Sequence, residues 1–204
     1  MKKTIYNFFI ILFFTTTLYG TETKENIVIA KKNVDLNLLI SPEDIQTKIK
    51  QVAVNLNEEY KEKPLVILSI LKGSICLCAD LIRELSCDYT LEFIRCISYN
   101  GDKRENLTIS GVEAIEIKDK NVLVIDDIFD SGVTLSTVVE KLNLKNPKSI
   151  QTLVLLNKIS KNIVNYKPTY SLFEIEDKFV LGYGLDYDQK YRGLKGVFAI
   201  TSTR

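Results

Sequence analysis

Apolar positions follow two periods along the chain, and the two alternate. Ser41-Pro42-Glu43-Asp44 has the pattern of a helix start, with Ser at the N-cap, Pro at the first helical position and acids in the first turn. Ile45, Ile49, Val52, Ala53 and Leu56 then recur on one helical face, which ends near Tyr60. Leu65 to Leu71 is an apolar run with Ser69 as its one polar residue, predicted as a strand buried on both faces. A helix is predicted after Lys72-Gly73-Ser74, with Ile75, Cys78, Ala79, Ile82 and Leu85 on one side. Tyr89 to Ile97 reads as a strand, and Ser98 to Gly111, polar and charged, as a long mobile loop. Val122 to Ile125 is a third strand, followed by a helix marked by Leu135, Val138, Val139 and Leu142. Ile150 to Leu156 is a fourth, with strand-like runs at Lys178 to Leu181 and Val197 to Ile200. Strands alternating with helices require crossover connections, so the expected fold class is α/β, a mostly parallel sheet covered by helices on both faces.

The first twenty residues break this pattern. Met1-Lys2-Lys3 leads into an apolar segment densest at Phe8 to Phe14, the form of a secretory signal peptide. Its apolar run is short of the about 20 residues that span a bilayer. Residues 1–25 are therefore read as a signal-like or anchor segment, with membrane contact through residues 1–20, before a single domain over 26–204; a start of the gene placed too far upstream is the alternative. At about 150 residues per domain, 204 residues favour one domain with a sizeable core.

Composition then restricts the chemistry. The chain has 27 basic and 26 acidic residues, which gives no basic surface for nucleic acid. It has no histidine, which excludes Ser-His-Asp and Cys-His catalysis and His-ligated zinc. Catalysis must run on carboxylates, lysines, arginines, hydroxyls, backbone amides or a hard metal ion. Cys76, Cys78, Cys87 and Cys96 lack zinc-ribbon spacing and read as free thiols, which favours a reducing compartment.

The richest segment runs from Val122 through Asp126-Asp127-Ile128-Phe129-Asp130-Ser131-Gly132-Val133-Thr134. In an open α/β sheet, ligands bind beyond the carboxyl ends of the strands, where this segment places three carboxylates and a glycine turn. The turn's amides, the Ser131 and Thr134 hydroxyls and the start of the next helix suit a phosphate. Three acids beside a phosphate need a mediator, either a divalent cation with oxygen ligands or a sugar whose hydroxyls donate to the carboxylates. An acidic loop that only caps a helix is the plainer reading.

This segment resembles the phosphoribosyl-pyrophosphate motif of the type I phosphoribosyltransferases. Three further stretches resemble the hypoxanthine (guanine) branch of that family: Ser69-Ile70-Leu71-Lys72-Gly73-Ser74, like the pyrophosphate loop with its cis Leu-Lys peptide; Ser98-Tyr99 and the polar loop after it, like the flexible lid; and Glu174 to Val180 with Gly182 to Tyr187 and Tyr191-Arg192, like the purine- and metal-binding region. The resemblance covers about Leu39 to the C-terminus, with the motifs in the family's order. It implies the family's fold, a central sheet with a small hood formed by N- and C-terminal segments.

The resemblance also implies roles. Asp130 would take the proton from purine N7, while Ser131, Gly132, Val133 and Thr134 hold the 5′-phosphate. Asp126 and Asp127 would contact the ribose hydroxyls; position 126 is commonly Glu, so Asp126 is one methylene shorter. Leu71, Lys72, Gly73 and Arg192 would bind pyrophosphate. Lys158 would donate to the 6-oxo group, Phe179 stack on the base and Val180 offer its main chain. Mg²⁺ would be held at Asp186, with Asp126 and Asp127 as further candidates. Ser171-Leu172-Phe173 departs from the family, which usually has Gly before Phe. The implied activity is transfer of a 5-phosphoribosyl group from phosphoribosyl pyrophosphate to N9 of hypoxanthine or guanine, by a cytoplasmic homodimer or homotetramer. A non-catalytic sensor of phosphoribosyl pyrophosphate and a transferase preferring xanthine are the alternatives.

Overall fold

A computed structural model of the chain describes residues 26–29, 32–98 and 107–203. The signal-like segment expected at residues 1–25 and the lid residue Tyr99 lie outside the described residues. Two sheets are built. The larger has six strands in the order β5-β4-β3-β6-β7-β8, with β3 Leu65–Leu71, β4 Tyr89–Ser98, β5 Leu107–Ser110, β6 Asn121–Phe129, β7 Ser149–Lys158 and β8 Tyr170–Ile175. All neighbours pair parallel except β4 with β5. The smaller is an antiparallel hood, β1-β2-β10-β9, formed by β1 Asn26–Ile29 and β2 Lys32–Ile40 from one end of the chain with β9 Val180–Leu181 and β10 Val197–Thr203 from the other.

The continuous apolar strands are explained by burial on both faces. Ile67, Leu123, Ile125, Leu153 and Leu155 point to one core with α1 (Pro42–Glu59) and α2 (Ile75–Glu84). Their neighbours Val66, Leu68, Val122, Val124 and Val154 point to the other, with α3 (Val133–Asn143). The alternation is the period of two of a pleated strand. At α1 the cap is the expected one: the Asp44 N–H donates to Ser41 Oγ at 3.0 Å, and Pro42 opens the helix.

Four expectations need correction. Helix α2 buries Leu77, Cys78 and Leu81, whereas Ile75 is 50% exposed and Leu85 is the C-cap. The helix is only ten residues long, so packing against α1 and β3, rather than the longer apolar period, decides its inner face. The polar loop predicted over 98–111 is partly strand: Leu107–Ser110 pairs with Arg95–Ser98, which shelters Ile109. Strand β6 continues past Ile125 to Phe129, because the long β7 supplies partners, with Asp126 beside Val154 and Phe129 beside Asn157. The run at 178–181 is a strand only at Val180–Leu181, the stretch that reaches Ala199 and Phe198. The pattern also missed β8, whose Tyr170 and Phe173 pack on the α1 side.

Candidate active site

The chain reverses its direction across the sheet between β3 and β6. From β3 it runs by way of α2 to β4 on one side, then returns to place β6 on the other. Such a switch point opens a crevice beyond the strand ends. A cleft of about 340 Å³ lies there, lined by Leu71, Lys72, Gly73, Asp126, Asp127, Asp130, Ser131, Gly132, Val133, Thr134, Asp186 and Arg192. These are the predicted phosphate, ribose, pyrophosphate and metal residues, brought together from β3, β6 and the segment after β9.

On the β3 side, the Leu71–Lys72 peptide is cis, as the resemblance implied. Gly73 is required by close approach, since a Cβ there would collide with the Asp127 carboxylate. Gly184, at φ +99°, is held equally close to the Gly73 carbonyl. Ser74 Oγ, fully buried, donates to Ile70 O at 2.6 Å and lies 2.7 Å from Ser69 Oγ, which anchors the loop to its own strand.

On the β6 side, Asp126 is 6% exposed, and its Oδ1 accepts the Asp127 N–H at 3.0 Å. Asp127 Oδ1 accepts the Ile128 N–H at 2.9 Å. Burial, and then the charge of Asp127, pushes the Asp126 carboxyl well above its usual range. Burial also raises Asp127, against hydrogen bonds and the Arg192 guanidinium, which favour its ionised form. Two adjacent carboxylates raised in this way gain from any hydroxyl donor or cation that enters the cleft. The turn after them reaches φ +85° at Gly132, where a Cβ would strike Val164 and Phe129. At the start of α3 it is Ser131 Oγ that accepts, from the Val133 N–H at 3.4 Å, whereas Asp126 and Asp127 accept from N–H groups of their own strand, so the reading of an acidic loop that merely caps a helix does not hold.

At the third corner, Arg192 Nη2 pairs with Asp186 Oδ1 at 2.6 Å, and Arg192 Nη1 donates to Gly184 O at 2.7 Å. Gln189 was not anticipated, yet it links the two halves. Its Oε1 accepts from Lys72 Nζ at 2.9 Å and from Arg192 Nη2 at 3.4 Å, and its N–H donates to Asp186 Oδ2 at 2.8 Å. Among the described residues no three His, Cys, Asp or Glu side chains gather to hold a metal ion. A cleft carboxylate such as Asp186 suits Mg²⁺, which keeps waters and takes phosphate oxygens from its substrate rather than a protein cage.

The predicted purine residues lie outside the cleft lining. Lys158 ends β7 and is 6% exposed, with its Nζ 3.3 Å from both Asp130 Oδ2 and Asp177 Oδ1. Asp130 is thus paired with the lysine expected to select the base. Phe179 is 57% exposed and meets Tyr187 edge-on, with centroids 5.6 Å apart, which leaves a ring face open. Val180 is buried in β9. Ser98 ends β4, at the edge of the described residues. All four cysteines are free. Lys161, like Gln189, carried no sequence signal, and Asp177 lies within the purine-region stretch at 174–180 without a role assigned to it, since charged residues at exposed turn positions are ordinary.

The chain matches the phosphoribosyl transferase domain over residues 41–188. It is 38% identical over 164 residues to the hypoxanthine-guanine phosphoribosyltransferase of Bacillus subtilis, covering 77% of this chain and 88% of that one. The Staphylococcus epidermidis protein of the same name is 36% identical over 160 residues, covering 78% and 89%. Among solved structures, a hypoxanthine-guanine phosphoribosyltransferase from Bacillus anthracis superposes with a TM-score of 0.78 at 31% identity, covering 84% of this chain and all of that one. The hypoxanthine phosphoribosyltransferase of Trypanosoma cruzi, in complex with the product IMP, gives 0.75 at 34% identity, covering 80% and 92%.

Proposed function

The chain belongs to the phosphoribosyl transferase family, among the hypoxanthine-guanine phosphoribosyltransferases, and from that premise we propose how its site works. The reaction is transfer of a 5-phosphoribosyl group from phosphoribosyl pyrophosphate to N9 of hypoxanthine or guanine, giving IMP or GMP and pyrophosphate. The observation that supports this reading is the meeting, at the switch point, of the Gly132 turn, the raised Asp126–Asp127 pair and Asp130, whose carboxylate pairs with the buried Lys158.

The β6–α3 turn would bind the 5′-phosphate through the main chain of Ser131 to Thr134 and the two hydroxyls. Asp126 and Asp127 would accept from the ribose hydroxyls, and their charge would favour the cationic sugar that develops as pyrophosphate leaves. Lys72, Gly73 and Arg192 would hold the leaving pyrophosphate, for which Arg192 exchanges part of its pairing with Asp186. Asp186 would contribute to holding Mg²⁺, with Asp126 and Asp127, which line the same cleft, as further candidates. When bound, the cation offsets negative charge on the phosphates. Phe179 would stack on the base, and the Val180 main chain meet its edge. Lys158 would donate to a 6-oxo group, whereas a 6-amino group would set its own N–H donors against the ammonium and accept nothing from it. Asp130 would accept the N7 proton, with Lys158 beside it to steady the charge.

The free thiols and the metabolite chemistry support a cytoplasmic site of action, and no described helix is long and apolar enough to cross a membrane. The family resemblance supports a homodimer or homotetramer.

The test is the purified full chain with Mg²⁺, phosphoribosyl pyrophosphate and, in competition, hypoxanthine, guanine, xanthine and adenine. IMP and GMP with equimolar pyrophosphate are expected, and little AMP. Absence of any nucleotide product would refute the reading.

A further inference from the structure

The turn after β7 carries two lysines that face two carboxylates. Lys158 Nζ lies 3.3 Å from Asp130 Oδ2 and 3.3 Å from Asp177 Oδ1. Lys161 Nζ lies 3.1 Å from Asp177 Oδ1 and 4.0 Å from Asp130 Oδ1. The carboxylates come from different parts of the fold, Asp130 from the end of β6 and Asp177 from the segment between β8 and β9. Local bonds hold the frame. The Ile163 N–H donates to Ser131 O at 3.1 Å, and Asn162, with its amide nitrogen turned toward them, donates to the main-chain oxygens of Asp130 at 2.8 Å and Lys158 at 3.2 Å.

The two lysines differ in exposure. The Lys158 side chain is 7% exposed, while those of Lys161, Asp130 and Asp177 are 41 to 47% exposed. A buried ammonium offered one carboxylate pairs with it fully, because nothing else replaces its lost hydration. With Asp130 as sole partner, Lys158 would be drawn onto the base that must accept a proton and away from the purine. Asp177 supplies a second acceptor at equal distance on another segment. Lys161 compensates the charge this adds and holds the Asp177 carboxyl below the usual carboxylate range.

We propose that Asp177 is a positioning residue for base selection: clamped by Lys161, it shares the Lys158 ammonium with Asp130 and holds it between the two carboxylates, so that Lys158 donates to the 6-oxo group while Asp130 takes the N7 proton on Oδ1, which makes no hydrogen bond among the described residues. This rests on the roles of Lys158 and Asp130 given above, and the experiment separates the two. Asp177→Asn should raise KM for hypoxanthine about fivefold, a modest effect because the pair is partly screened by solvent. The dissociation constant for phosphoribosyl pyrophosphate and the melting temperature should stay as in the wild type. Asp177→Glu should recover most of the loss. In a Lys158→Met background the Asp177→Asn effect should vanish, since the two act through one interaction. An unchanged hypoxanthine KM, an equal rise in the Lys158→Met background, or a parallel loss of phosphoribosyl-pyrophosphate binding would overturn the proposal. A wild type that makes no IMP would instead defeat the activity on which it rests.

Discussion

In the proposed site, the end that would take phosphate and the end that would take the purine are built on opposite plans. The proposed phosphate end is local: Asp126 to Thr134 are nine consecutive residues of one strand, turn and helix start, and a 5′-phosphate there would be met largely by main chain. The purine end is assembled by side chains from the end of β7, the turn after it, the β8–β9 segment and the edge of the hood. A main-chain cradle is nearly indifferent to side-chain identity except where glycine is required. A side-chain cluster instead depends on charges that are each stabilised by a partner from another segment, so the loss of one partner should redirect the rest.

Asp130 belongs to both ends, and its substitution should have the largest effect. Asp130→Asn should lower kcat by about 10²- to 10³-fold, the range of a lost general base, with phosphoribosyl-pyrophosphate binding little changed. Steady-state kinetics beside calorimetric titration test this, and equal losses in both would remove Asp130 from the role of base.

Lys158→Met should act at the purine end alone. The expected result is a roughly 100-fold fall in kcat/KM for hypoxanthine, as for a lost charged hydrogen bond, and a narrower gap between hypoxanthine and adenine. Substrate competition reads this directly. An unaltered hypoxanthine-to-adenine ratio would mean that the two ends do not divide the work.

Gly73→Ala is the mirror experiment. The added methyl must displace the Asp127 carboxylate, so binding of phosphoribosyl pyrophosphate should weaken roughly tenfold, about 1.4 kcal/mol, while the hypoxanthine-to-adenine ratio stays unchanged. Direct binding measurements on the purified variant would show it.

The carboxylate pair gives a smaller, pH-dependent effect. Because the folded protein raises the Asp126 carboxyl above its usual range, the unfolded chain loses that proton at lower pH than the folded one. Stability attributable to this group is therefore highest below about pH 4 and falls as pH rises toward the folded value. Asp126→Asn should accordingly melt higher than the wild type at pH 7 without ligand or divalent cation, with the gain shrinking toward pH 4. Thermal melts across that window check the sign, and a gain that grew on acidification would contradict it. The smallest effect is expected from Gln189→Ala, about twofold in KM for phosphoribosyl pyrophosphate, because its bonds to Lys72 and Arg192 are exposed.

The same division explains what was legible beforehand. The strands at Leu65–Leu71, Asn121–Phe129 and Ser149–Lys158 are legible at their apolar stretches, 65–71, 122–125 and 150–156, because segments buried on both faces must be largely apolar. The phosphate motif is legible because a tight turn between strand and helix confines its residues to one stretch. Strand β8 was missed because its six residues alternate in burial and mix polar with apolar side chains. The inner face of helix α2 keeps Cys78, Ile82 and Leu85 against the core but takes in Leu77 and Leu81 in place of Ile75, because over ten residues neighbouring apolar stripes overlap and only the packing partners choose between them.

The amino-acid sequence by itself determined the α/β class, the position of the phosphate turn and a chemistry of carboxylates and cations, since these depend on local periodicity, turn residues and the absence of histidine. Tertiary structure alone decided that Asp177 and Lys161 meet Asp130 and Lys158, that Gln189 spans Lys72 and Asp186, and that Gly73 fits beneath Asp127. Those contacts join segments far apart in the chain, and no pattern of neighbouring residues encodes which distant side chain will arrive to share a buried charge.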